Sequence, residues 1–148
     1  MINLRDLFRN RELFHLSPRQ SVADAARYMT DRNVGAVCVL DAGRLVGVLS
    51  ERDMMKRVIA PNRDPRATSV ADVMTSNPVV VEISADWQEC LNRMKRACVR
   101  HLPVVEGQKL VGLLSLRDLL QCECDEKAEE IKLMQDYSYD VPPSKPTI

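Results

Sequence analysis

The chain has 148 residues, which suits one compact domain or two small halves sharing a core. Hydrophobic residues make up 45% and charged residues 28%, and the formal net charge is zero, so no whole-chain field draws it toward nucleic acid or an anionic membrane. Aromatics are only 4%, which leaves few stacking platforms for single-stranded nucleic acid, and no apolar run reaches the length of a signal peptide or a membrane span; a cytoplasmic protein with reduced thiols is expected.

In chain order, the start is Leu4-Arg5-Asp6-Leu7-Phe8-Arg9, followed by a short strand within Glu12 to Leu16. Residues 21–32 place Val22, Ala25, Ala26 and Met29 on one helical face. An apolar strand from Ala36 to Leu40 follows, then a turn at Asp41-Ala42-Gly43, then a second strand from Leu45 to Leu49 that completes a hairpin. Ser50 opens a second helix. The stretch Pro61-Asn62-Arg63-Asp64-Pro65-Arg66 reads as a polar linker.

The same order then recurs. Val70-Ala71-Asp72-Val73-Met74-Thr75 precedes a short strand at Pro78 to Val81, and a helix carries Trp87, Cys90, Leu91 and Met94 on one face. Strands follow from Leu102 to Val105 and from Leu110 to Leu114, and Ser115 opens the last helix. A shift of 65 residues lays Leu45 to Asp53 on Leu110 to Asp118 with seven of nine positions identical, and no gap is needed from Val22/Trp87 through Met55/Leu120. A unit this small cannot bury both faces of its sheet alone. The expected fold is α+β: two β-α-β-β-α repeats packed sheet to sheet, helices outside, with pseudo-two-fold symmetry. The divisions are repeat 1 over 1–60, a linker over 61–69, repeat 2 over 70–121, and a C-terminal helical extension and flexible tail over 122–148.

The sharpest chemical signal is Ser-x-Arg-Asp after an apolar strand, occurring twice. One reading is structural, because Ser-x-x-Asp is a helix-capping pattern. The other is a nucleoside site. An Asp at a helix start can accept from both ribose hydroxyls, the helix N-terminus favours an anion, and the neighbouring Arg can meet a phosphate. A capped helix can still present its Asp, so the two readings coexist.

Gly35-Ala36-Val37-Cys38-Val39, Arg100-His101-Leu102-Pro103-Val104-Val105, the duplicated Leu-Val-Gly-x-Leu-Ser-x-Arg-Asp and Val70-Ala71-Asp72-Val73-Met74-Thr75 together resemble cystathionine β-synthase (CBS) domains, over roughly residues 3 to 121. The resemblance implies a paired module with two clefts that bind AMP, ADP, ATP, S-adenosylmethionine or a related adenosyl compound such as NAD, with no resident cofactor. It implies a homodimer, and a regulated protein in trans. Carried over by residue, it gives Asp53 and Asp118 to the riboses, with Ser50 and Ser115 assisting. Arg52 and Arg117 would face phosphate, and Thr75 would touch ligand. Backbone around Val37 and Leu102 would frame adenine. Arg100 and His101 could reach phosphate, His101 being equally readable as a partly buried loop histidine. The first repeat departs from the pattern, with Cys38 opposite Pro103 and Arg9 near the position of Thr75.

Two other classes stay open. The first is a dimeric scaffold whose clefts are empty. The second is thiol chemistry at Cys122 and Cys124, which lacks an evident base partner. The same C-x-C lacks the further ligands a metal would need, since His15 and His101 each stand alone, so no metal site is expected. Leu120, Ile131 and Met134 give the extension an apolar face. It reads as a solvated continuation of the last helix or as a dimer-stabilising arm.

Overall fold

The computed structural model describes residues 3–139; the tail expected at 141–148 lies outside them. Helices α1 (Leu4–Phe8), α2 (Val22–Arg32), α3 (Glu51–Met54), α4 (Val70–Val73), α5 (Trp87–Ala97) and α6 (Leu116–Tyr139) alternate with seven strands. These are β1 (His15–Leu16), β2 (Ala36–Asp41), β3 (Arg44–Ser50), β4 (Thr75–Ser76), β5 (Val81–Glu82), β6 (His101–Glu106) and β7 (Lys109–Ser115). They form a four-stranded sheet in the order β1-β2-β3-β4 and a three-stranded sheet in the order β5-β6-β7.

The 65-residue repeat holds to the level of register. Ala36 pairs Ser50 and His101 pairs Ser115; Val39 pairs Gly47 and Val104 pairs Gly112; each hairpin carries its irregularity at the same place, Val39/Leu40 and Val104/Val105. The hairpin turns need the left-handed region, which Gly43 (φ 79°) and Gly107 (φ 62°) supply. Ser21 caps α2 on the Asp24 N–H, and Asp86 caps α5 on the Glu89 N–H. Each of these helices turns its expected face inward: Val22, Ala25 and Met29 on one, Cys90 and Met94 on the other.

The symmetry is imperfect in ways the chemistry explains. β1 pairs β2 at Cys38 and Val39, whereas β5 pairs β6 one residue later, at Val104 and Val105. The pairing skips Pro103, which is the counterpart of Cys38 and has no N–H to give. The strand expected over Pro78 to Val81 therefore starts only at Val81 and runs on to Glu82. Thr75–Ser76 was not expected to be a strand, yet it pairs with β3 and makes the first sheet four-stranded. The corresponding Arg9 stays helical (φ −52°, ψ −41°), so the second sheet gains no such strand.

Three apolar clusters build the core. The sheets meet through Ala36, Cys38, Val48 and Leu110, with Leu13, Leu40, Leu45, Val105 and Leu113 around them. Burial there and in the second core pushes the Cys38 thiol up to about 12 and Cys90 up to about 11, so both remain thiols at neutral pH. The other two clusters are exchanged. Leu4 and Phe8 of α1 are buried with Val81, Leu102, Val104 and Leu114 of the second repeat, while Val70 and Val73 of α4 are buried with Leu16, Val37, Val39 and Leu49 of the first. Two glycines make room for this. A Cβ on Gly112 would stand 2.5 Å from the Phe8 ring, and one on Gly47 would stand 2.6 Å from Met74 Sδ.

The segment after Ser50 begins as α3 and continues through a π-helical stretch, Met55–Ile59. The last helix is a single 24-residue element running through the expected extension, about 36 Å long at ~1.5 Å per residue. Among the described residues no helix is long and apolar enough to cross a membrane.

Candidate functional site

Each helix that follows a hairpin starts in the same way. The Ser50 N–H donates to Asp53 Oδ2 (3.0 Å), and the Asp53 N–H donates back to Ser50 Oγ (3.2 Å). Ser115 and Asp118 repeat this at 3.0 Å in each direction. These are capping boxes, so the structural reading of Ser-x-x-Asp holds. The loop leading into each hairpin is tied to the same point: Glu51 N–H to the Gly35 carbonyl (3.0 Å) and Leu116 N–H to the Arg100 carbonyl (2.8 Å). Strand, loop and helix start are thus one rigid unit in each repeat, and each aspartate keeps carboxylate capacity beyond its cap.

A cleft of about 1080 Å³ opens between the repeats. Its wall brings together Ser115, Arg117, Asp118, His101 and Val37 of the expected residues. Arg100, Glu51 and the segment Arg11 to Phe14 line it as well. Leu102 does not line it. Its side chain is fully buried in the second core, as that of its counterpart Val37 is in the first. Ser50, Asp53 and Thr75 gather elsewhere, around the Asp53 carboxylate, with Arg52 exposed beside them. Thr75 Oγ1 donates to Asp53 Oδ1 (3.4 Å), and Arg57 stands 3.8 Å from the same oxygen. Arg57 is anchored by donating to the carbonyls of Val73 (2.9 Å) and Met74 (3.0 Å), which holds α4 and β4 against α3.

Asp118 differs from Asp53 in its partner. Arg11 clamps it through two bonds, Nη1 to Oδ2 (3.0 Å) and Nη2 to Oδ1 (2.9 Å). Burial pushes the Asp118 carboxyl up, but the Arg11 fork and the bonds from Ser115 outweigh it and leave the group below the usual carboxylate range. Arg11 was invisible in the repeat. It lies between α1 and β1, upstream of the ungapped match. Arg57 was equally hidden, because its counterpart in the second repeat is Cys122.

His101 is held below its ordinary value by burial, against the pull of the Asp118 charge, with Arg100 lowering it further and Glu51 raising it. It is therefore neutral at pH 7. Between the folded value and the ordinary 6.5, the unfolded chain binds the proton and the folded chain does not. Stability is full above that window and falls as pH drops through it. Urea unfolding at about pH 7.5 and about pH 5.5 is expected to show this loss in the native chain and a smaller one in His101→Asn.

Duplicated repeats, exchanged opening helices and a cleft between the repeats define a paired α+β module. The chain belongs to the CBS domain family, which it matches twice, over residues 3–60 and 70–123. Protein YlbB of Bacillus subtilis is 36% identical over 121 residues, covering 80% of this chain and 80% of that protein. The mitochondrial CBS domain-containing protein CBSX3 of Arabidopsis thaliana is 29% identical over 122 residues, covering 79% of this chain; the chain spans 59% of that longer relative. Among solved structures, a putative signal-transduction protein with CBS domains from Burkholderia ambifaria superposes with a TM-score of 0.75 at 31% identity, over 79% of this chain and 90% of that one. CBS domain protein PAE2072 from Pyrobaculum aerophilum, solved in complex with AMP, superposes with a TM-score of 0.71 at 26% identity, over 79% and 89%.

Proposed function

We propose that this chain is a regulatory module that binds an adenine nucleotide or another adenosyl compound between its CBS repeats and relays occupancy through a self-association or partner surface. The observation that carries this reading is the convergence of Asp118, Ser115, Arg117, His101 and Val37 on one cleft. A carboxylate and hydroxyl for a ribose and cations for a phosphate are within it, with Val34 and Leu113 as partly exposed apolar groups for a base. The AMP complex of the Pyrobaculum aerophilum relative supports the same ligand class. Asp53 with Thr75 would serve a second ribose.

Ligand acts by differential affinity for two states of the module. A surface to carry the change is present. Met55 (56% exposed) and Ile59 (68%) of the first repeat and Leu120 (52%) of the second lie on the helices that start at the two aspartates. Ile131, Leu133, Met134 and Tyr137 continue an apolar exposure along α6. A homodimer, or a regulated protein in trans, would cover these residues. This surface is also what favours the second reading, a dimeric scaffold with empty clefts. No catalytic step is assigned. Burial and the nearby Asp118 charge push the Cys122 thiol up, away from the reactive thiolate.

Calorimetric titration of AMP, ATP, NAD and S-adenosylmethionine into the purified chain tests it. Binding with a Kd on the order of micromolar for at least one, lost in Asp118→Ala, is expected. No heat from any of the four with a folded dimer would leave the scaffold reading in its place.

A further inference from the structure

The cation beside each aspartate is deployed differently. Arg57 is tied to two backbone carbonyls and only approaches Asp53, whose nearer partner is the neutral Thr75 hydroxyl. Arg11 instead holds both oxygens of Asp118, and its guanidinium lies over the Phe8 ring at 5.5 Å. The Asp118 side chain is 19% exposed and that of Arg11 43%, so the pair is partly withdrawn from water at the wall of the cleft.

We propose that Arg11 is a ligand-displaced latch that makes the Asp118 cleft selective for phosphate-bearing nucleotides over neutral or cationic adenosyl compounds. This rests on the reading of the cleft as an adenosyl site. The two Arg11 bonds and the Ser115 N–H fill three of the roughly four lone-pair sites of Asp118, so a ribose diol that donates both hydroxyls must take at least one that Arg11 occupies. Arg11 cannot shed its charge, and a partly desolvated guanidinium without an anion is costly. A nucleotide phosphate supplies that anion, and its oxygens match the guanidinium fork as the carboxylate did. The cation then exchanges one anion for another inside the same cleft, where Arg100 and Arg117 add to the attraction. Adenosine brings the diol without the anion. S-adenosylmethionine brings a sulfonium cation at the same end. The Asp53 position has no such latch, and its ribose partner is open without displacing a bidentate cation.

The test is calorimetric titration of adenosine, AMP and ADP into the native chain, Arg11→Ala and Arg11→Lys, with Asp118→Asn identifying the heat that belongs to this cleft. Circular dichroism checks that each variant is folded. Freeing Asp118 in Arg11→Ala is expected to tighten adenosine by about tenfold or more, and to lower the AMP-to-adenosine affinity ratio by at least as much. Arg11→Lys keeps the charge without the fork and is expected to fall between. An unchanged ratio in Arg11→Ala, with Asp118-dependent AMP binding intact, overturns the latch and leaves the adenosyl site standing. Absence of Asp118-dependent AMP binding in the native chain overturns both.

Discussion

Phe8→Ala is expected to destabilise the chain by about 3–5 kcal/mol, the range for emptying a buried aromatic site. Phe8 belongs by sequence to the first repeat, yet it is 7% exposed in the core of the second. Its ring lies 2.5 Å from where a Cβ on Gly112 would be, so Gly112 offers no side chain to fill the space it leaves. The same substitution removes the ring under Arg11 and loosens the Arg11–Asp118 clamp. Urea unfolding monitored by circular dichroism measures the loss. A cost under about 1 kcal/mol, typical of a surface position, would contradict the exchange of opening helices between repeats.

Gly47→Val is expected to cost about 1–3 kcal/mol through overpacking, and to weaken ligand binding at Asp53 more than at Asp118. A Cβ at this position would stand 2.6 Å from Met74 Sδ and 2.9 Å from the Thr75 carbonyl oxygen. The methionine end can swing aside. The backbone oxygen cannot, because Gly47 and Ser76 are paired across β3 and β4. The strand must shift, and Thr75 leaves the Asp53 carboxylate with it. Unfolding midpoints and calorimetric stoichiometry read the two effects separately. Native stability with two equivalent sites would show that β4 does not set the Asp53 position.

The repeat made much of this structure readable in advance. Short apolar runs bounded by turn residues placed the hairpins, whose strands are buried on both faces, and a 3.6-residue apolar period placed the α2 and α5 faces. The ungapped shift of 65 residues fixed which residues correspond, and both Ser-Asp helix starts followed from it. The exchange of α1 and α4 was not readable. Leu4 and Phe8 are apolar whichever sheet they cover, and local pattern does not name the partner. Arg11 and Arg57 were hidden for a related reason. Each acts across the symmetry rather than within it, one on the opposite repeat's aspartate and the other on the carbonyls ahead of β4. The Leu102 side chain packs into the second core, and the resemblance assigned that position through its backbone alone.

The central claim is that Asp118 holds a ribose in the cleft between the repeats. A crystal structure of the native chain grown with saturating AMP tests it most directly. The expected result is the ribose hydroxyls on the Asp118 carboxylate, the base beside the backbone at Val37, and Arg11 turned from Asp118 to the phosphate. AMP absent from the cleft, with the Arg11–Asp118 pair intact, would contradict it.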